Sequence, residues 1–156
     1  MALFLSKYIN KVDKKGRVSV PASFRAELSD ESFPGIIVRP SFVSEAIDAC
    51  GRAALQELQR GVGRFNPFTE ERAGFANAIF ARSHPVPWDG EGRVIVPAEL
   101  LSHAAITDYA LFVGLGDTFQ VWEPERYAEV EREAIELARQ QRATLTVDTT
   151  STGDSG

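Results

Sequence analysis

A nine-residue stretch that occurs twice constrains this chain more than any other feature. Asp13-Lys-Lys-Gly-Arg-Val-Ser-Val-Pro21 returns as Asp89-Gly-Glu-Gly-Arg-Val-Ile-Val-Pro97, with six of nine positions identical and no gap. Each copy is followed by alanine, Ala22 and Ala98. A match this good is rare by chance in 156 residues, so the chain reads as a tandem repeat of one small unit, offset by 76 residues from Asp13 to Asp89. One unit has too few residues to bury much apolar surface alone. The two halves are therefore expected to share a core or to assemble with other chains.

The residue types in the motif describe a turn and a strand. An Asp carboxylate can accept hydrogen bonds from backbone N–H groups just ahead of it, and the Gly three residues on can take a positive φ. Val18 and Val20 then alternate with Arg17 and Ser19, giving a short strand with one apolar face. Pro21 cannot donate to a sheet ladder and suits the first turn of a helix, which Ala22 to Glu27 can continue. Each unit thus reads strand, tight turn, strand, short helix, with an Arg emerging beside the turn. Turn geometry by itself accounts for the Asp, Gly, Val and Pro positions. It does not require Arg17 or Arg93, although each could pair with its own Asp as an exposed ion pair worth under about 1 kcal/mol.

Net charge is −5, which argues against nucleic acid until the charge is mapped. Residues 1–27 carry Lys7, Lys11, Lys14, Lys15, Arg17 and Arg25 against Asp13 and Glu27, a local +4. The stretch from Glu123 to Asp148 is net −3, so the acidic C-terminal region hides a basic N-terminal turn. Hydrophobic content of 44% is ordinary for a globular chain. A single cysteine, Cys50, leaves no intrachain disulfide framework and fits a reducing compartment. No apolar run approaches the roughly 18 residues of a membrane span, and Met1 to Ser6 lacks the apolar core of a signal peptide. The expectation is a cytoplasmic protein without membrane contact.

Along the chain, a strand is expected from Phe4 to Val12, a short helix after Pro21 ending near Ser29 to Glu31, and a buried strand at Ile36 to Val38. Ser41 to Cys50 is ambiguous: repeat logic places a strand near Ala46 to Ala49, matching Phe119 to Trp122, while propensity allows an early helix start. The strand is favoured. A helix follows from Arg52 to Arg60, then a break at Gly61 to Gly63. Asn66-Pro67 reads as an N-cap with Pro at the first helical position, opening a helix to about Phe80. Arg82 to Trp88, with Pro85 and Pro87, suggests an edge strand. A short helix from Pro97 to Ala105, strands at Tyr109 to Val113 and Thr118 to Trp122, and a long helix from about Pro124 to Arg142 complete the set. The long helix has acids in its first turn and Arg139 and Arg142 in its last, as the helix dipole prefers. The polar end of the chain is expected to be disordered.

Two Asp-x-x-Gly-Arg-x-x-x-Pro units, each followed by a short helix, with a helical connector between them and Trp-Glu-Pro-Glu-Arg-Tyr at 122–127 leading to a final helix, resemble the MraZ family. The resemblance runs from about Phe4 to Arg142. It implies an α+β fold of two tandem AbrB-type (SpoVT–AbrB) swapped-hairpin β units that share a barrel-like core, with flanking helices. The first domain would span 4–60, a helical connector 61–81, the second domain with its C-terminal helix 82–142, and a disordered tail 143–156. It also implies a sequence-specific regulator of the operon of division and cell-wall genes, including its own gene. Such a regulator would bind double-stranded DNA at promoter repeats as a homo-oligomeric ring associated with the nucleoid. The family uses its Asp-x-x-x-Arg element on DNA, which maps onto Asp13 and Arg17 and onto Asp89 and Arg93. Around Ser44 to Cys50 the first repeat is less aromatic than family members tend to be.

These residue types suit DNA. Arg matches guanine O6 and N7 bidentately, a contact worth about 1–3 kcal/mol of discrimination. Lys11, Lys14 and Lys15 suit phosphates, which position a protein and make its affinity fall with salt, though a solvated hairpin tip would also account for them. Asp13 fits an organiser of the turn better than a base reader. Where the first copy has Lys14-Lys15, the second has Gly90-Glu91. The first repeat is therefore expected to grip DNA, and the second to be structural or auxiliary.

Other classes fit less well. His84, His103 and Cys50 give no metal-ligand spacing, and Asp89 and Glu91 have no base or nucleophile beside them. Gly114-Leu-Gly-Asp117 is too short for a phosphate loop and is explained by a hairpin turn. No enzyme activity, cofactor, metal or small-molecule substrate is expected. The competing reading is an oligomeric interaction scaffold or antitoxin-like partner binder, using apolar residues such as Phe75, Phe80, Trp122 and Tyr127 that otherwise belong to a core.

Overall fold

In the computed structural model, which describes residues 1–147, the elements run in chain order. They are β1 (Lys7–Lys11), β2 (Arg17–Ser19), α1 (Ala22–Glu27), β3 (Gly35–Pro40), β4 (Ile47–Cys50), α2 (Arg52–Gly63) and α3 (Glu70–Phe75). Then come β5 (His84–Pro87), β6 (Arg93–Ile95), α4 (Ala98–His103), β7 (Tyr109–Gly114), β8 (Phe119–Trp122) and α5 (Pro124–Gln140). A π-helical turn, Ala76–Phe80, extends α3, and a 3-10 turn, Arg142–Thr144, follows α5. The chain forms two compact units, Met1–Pro124 and the remainder, which is chiefly α5.

The fold is α+β and its pairing is antiparallel throughout. Six strands form one sheet in the order β1-β7-β8-β4-β3-β5, and β2 and β6 form a separate two-stranded ribbon. The six-strand order reads the same from either end when the halves are exchanged. The two halves interleave at its edges: β1 pairs with β7 of the second half, and β5 pairs with β3 of the first. The strands flanking each turn therefore do not pair with one another as a local hairpin. The turn is closed by hydrogen bonds of its own, and each flanking strand finds its ladder partner in the opposite half.

The sheet does not close into the expected barrel-like form. β1 and β5 are its edges, and Pro85 and Pro87 occupy the β5 positions whose N–H groups would face away from β3, so that outer edge lacks donors. The core lies between the sheet and the layer formed by the ribbon with α1 and α4. Phe4 and Phe24 from the first half meet Phe112 and Phe119 from the second, with ring centroids of Phe24 and Phe119 4.9 Å apart. Leu100, Ile36, Val38 and Ile47 fill the complementary side with aliphatic groups. The less aromatic β4 thus packs as a strand, with Ile47 and Ala49 buried. Apolar burial of this kind, at about 25 cal/mol per Å², is available only with both halves present.

Several element boundaries differ from the sequence expectation, each for a local reason. The first strand is interrupted at Ser6, which takes a positive φ of 72°, although pairing resumes in register at Phe4 with Gly116. The first short helix stops at Glu27 rather than near Ser29 to Glu31. Helix α2 runs through Gly61 and Gly63 because Val62 between them is buried, which outweighs the glycine penalty of about 1 kcal/mol each. Helix α3 starts at Glu70, not at Pro67: the Thr69 side chain accepts from the Arg72 amide, and Asn66 makes a turn ahead of it by accepting from the Phe68 amide. In α5, Glu125 lies in the first turn and Arg139 in the last, as expected. Most of the expected disordered tail, residues 148–156, lies outside the described residues.

Candidate nucleic-acid interface

Each turn is built by its aspartate. Asp13 Oδ1 accepts from the amides of Lys15 and Arg17, both at 2.9 Å, and its Oδ2 takes the Arg17 Nε–H at 2.7 Å. Asp89 does the same with the amides of Glu91 (2.8 Å) and Arg93 (3.0 Å) and with Arg93 Nε at 3.1 Å. Gly16 and Gly92 take φ of +82° and +79°, the left-handed region where a side chain would be strained. The Arg17 amide, then the Arg17 side chain, hold the Asp13 carboxyl below its usual value. The Arg93 amide leads the same effect on Asp89. The aspartates therefore organise the turns and the arginines, whose side chains stay partly exposed and are bound to their aspartates through Nε.

The two turns form one site. Arg17 lies opposite Ile95, Val18 opposite Val94, and Ser19 opposite Arg93. The Gly16 carbonyl accepts from the Val96 amide and the Gly92 carbonyl from the Val20 amide, both at 2.9 Å, so each turn caps the other half's strand. Val18 and Val94 point into the core. Antiparallel neighbours share a face, so Arg17, Ser19, Arg93 and Ile95 lie together on the outer one. The arginines stand on opposite strands two residues apart along the ribbon, about 7 Å along it by about 5 Å across.

Lys14 and Lys15 are exposed on the first turn, and Lys11 is exposed at the end of β1 two residues before Asp13. The structure therefore gathers Lys11, Asp13, Lys14, Lys15 and Arg17 at one end of the ribbon and Asp89 and Arg93 at the other. Glu91 also approaches Arg93, at 3.7 Å.

Two contributors were not singled out from the sequence. The first is Arg25 on α1. Its Nε–H donates to the Val20 carbonyl at 3.2 Å, and its guanidinium lies over Gly92, where a Cβ would sit 2.5 Å from Arg25 Cζ. Among the described residues its terminal amines have no protein acceptor. It therefore brings a cation from the first half to the acidic second turn. Its place in the other half is taken by Leu101, whose Cδ1 lies 3.6 Å from where a Gly16 Cβ would be. The 76-residue offset that pairs Arg25 with Leu101 was the available signal. The second is Ile95, 60% exposed on the ribbon face.

The remaining candidates fall elsewhere. His84 Nε2 lies 3.2 Å from Glu99 Oε1, and His103 Nε2 lies 3.2 Å from the Ser44 carbonyl. Burial pushes the Cys50 thiol up to about 11, which keeps it protonated and unreactive. No helix among the described residues is long and apolar enough to cross a membrane.

Comparison with known proteins matches residues 79–149 to the sequence model of a family described as "MraZ protein, putative antitoxin-like". A protein of Rickettsia bellii (strain OSU 85-389) named "Transcriptional regulator MraZ" is 45% identical over 146 residues, covering 93% of this chain and 97% of that one. A protein of the same name from Rickettsia akari (strain Hartford) is 43% identical over 145 residues, with the same shares covered.

Proposed function

The chain belongs to the MraZ family, and we propose that it is a transcription regulator that reads double-stranded DNA with the outer face of the β2–β6 ribbon. The observation that carries this reading is the pair Arg17 and Arg93, diagonal to one another on the outer face of the ribbon, each with its Nε held by an aspartate. Anchoring at Nε leaves the terminal amines free for the O6 and N7 of guanine, and it removes side-chain freedom that binding would otherwise have to restrict. The major groove, about 12 Å wide, admits a two-stranded ribbon. Lys11, Lys14 and Lys15 would meet phosphates on the first side and Arg25 would offset Glu91 on the second.

In this reading residues 4–60 and 82–142 are the two SpoVT–AbrB domains, joined by the connector 61–81. The exchange of β1 and β5 between halves supports the swapped-hairpin description. One ribbon offers few contacts, so tight binding needs several. A homo-oligomeric ring acting on repeated promoter sites supplies them through effective concentration. The target would be the division and cell-wall operon that includes its own gene, which places the protein on the nucleoid in the cytoplasm.

A second reading is favoured by the exposed Phe42, Val43, Phe65 and Phe68, of which Phe42 and Phe65 pack with tilted rings against Phe75 of α3. Exposed apolar side chains of this kind suit a protein partner or another copy of the chain. The test compares the full-length protein and Arg17→Ala on the chain's own upstream DNA and on a scrambled duplex, over a salt series. Preference for the upstream DNA, lost in the variant, is expected. Equal and salt-labile binding to both would leave only a basic patch, and no binding at low salt would favour the partner-binding reading.

A further inference from the structure

The ribbon face is not symmetric, although the fold around it is. Arg93 stands across from Ser19, a small hydroxyl side chain, whereas Arg17 stands across from Ile95. Residues 19 and 95 are repeat equivalents, so the two arginines have chemically different neighbours at the same position. Ile95 is 60% exposed while the valines on either side of it, Val94 and Val96, are buried. The alternation rules out a core role for Ile95, because its side chain points away from the core. It lines an open cleft together with Val86, Pro87, Trp88, Asp89 and the two arginines.

Resting on the DNA-reading function above, we propose that Ile95 determines specificity by contacting the 5-methyl group of a thymine beside the base read by Arg17. In the major groove the thymine methyl is the one apolar feature that a base edge presents, and an aliphatic side chain is its natural match. The direct cross-strand position puts Ile95 about 5 Å from Arg17 along the backbone pairing direction. That is within reach of a base step adjoining the one Arg17 contacts. Ser19, opposite Arg93, has no such apolar surface. The two halves of the ribbon therefore read different base steps, and a symmetric strand pair recognises an asymmetric sequence.

The test isolates one methyl group. Thymines in an upstream duplex that the full-length protein prefers over scrambled DNA are replaced one at a time by deoxyuridine, which pairs identically and lacks only the methyl. Wild type is expected to lose roughly three- to tenfold in affinity at one thymine, the scale of one buried methyl group. Ile95→Ser, which copies the other repeat at an exposed position, is expected to bind the thymine and deoxyuridine duplexes equally. Ile95→Val is expected to keep the preference. Equal binding of wild type to every substituted duplex overturns the Ile95 assignment and leaves the DNA-reading function standing. An undiminished deoxyuridine loss in Ile95→Ser overturns it too, because the methyl would then be sensed elsewhere. A wild type with no preference for the upstream DNA would remove the DNA-reading function itself, and this assignment with it.

Discussion

Val18 lies directly across the ribbon from Val94, and the 76-residue repeat carries each of the two onto the other's place. The pair therefore marks a local two-fold axis that relates the halves of the chain. The same exchange leaves the six-strand order unchanged, with β4 and β8 at its centre. One polypeptide thus has the arrangement of a symmetric dimer. That is why its two Asp–Arg turns end up on one face rather than at separate ends of two domains.

A shared core predicts joint unfolding. Phe24 of the first half and Phe119 of the second pack at 4.9 Å and are both fully buried. Phe24→Ala is expected to cost about 3–5 kcal/mol and to lower a single transition followed by far-ultraviolet circular dichroism and by Trp88 and Trp122 fluorescence together. Two separated transitions, only one of them moved by the substitution, would contradict the interleaved core.

The two motif glycines are expected to respond differently to a side chain. Either Gly→Ala change meets the left-handed penalty of about 1–2 kcal/mol. At Gly16 the new Cβ meets the Val96 carbonyl at 3.0 Å, a backbone atom held in the ribbon. At Gly92 it meets the Arg25 side chain at 2.5 Å, which can swing away. In a double-mutant cycle measured by denaturant unfolding, Gly92→Ala and Arg25→Ala should be less than additive. Strict additivity would show that Arg25 does not cover Gly92 in solution.

The aspartates give the turns a pH dependence of definite sign. Both carboxyls are depressed below 3.8 in the folded chain. Their contribution is therefore complete above the unfolded-state value and is lost as pH falls through the lower folded value. Carboxyl chemical shifts of Asp13 and Asp89 followed by NMR should show midpoints under 3.8. The Lys15 and Glu91 amides should lose exchange protection in the same acid range. A midpoint at the ordinary value would mean that the turn hydrogen bonds are not formed in solution.

The two arginines should differ in DNA binding. Arg17→Ala is expected to weaken specific binding by about 10- to 100-fold. Arg93→Ala should have a smaller effect, because Glu91 approaches its guanidinium in addition to the anchoring aspartate, whereas the first turn carries Lys14 and Lys15 where the second has Gly90 and Glu91. Equal losses in a titration at fixed salt would show that the second turn grips DNA as strongly as the first.

Much of this was legible in the residues. The motif gave the turns, the positive-φ glycines and the alternation that buries Val18 and Val94, because these depend on backbone preferences within a few residues. The strand at Ile47–Cys50 followed from repeat logic against its own helix propensity. The edge position of β5 followed from Pro85 and Pro87. Local chemistry misjudged the ends of α2 and α3, where the buried Val62 and the Thr69 cap decided the boundary. In the sequence Arg25 belongs to a basic N-terminal stretch, whereas its guanidinium lies on the other half's turn.

The sequence by itself determined that two like units exist, what each turn looks like and which residues can carry charge there. The hydrogen bonds that Asp13 and Asp89 accept come from amides only two to four residues on, so local order suffices to specify them. Only the tertiary structure decided that β2 pairs with β6 and β1 with β7, and hence that Arg17, Arg93 and Ile95 share a face. Pairing across more than seventy residues depends on which arrangement buries the most apolar surface while satisfying every strand, and no short window of sequence contains that comparison.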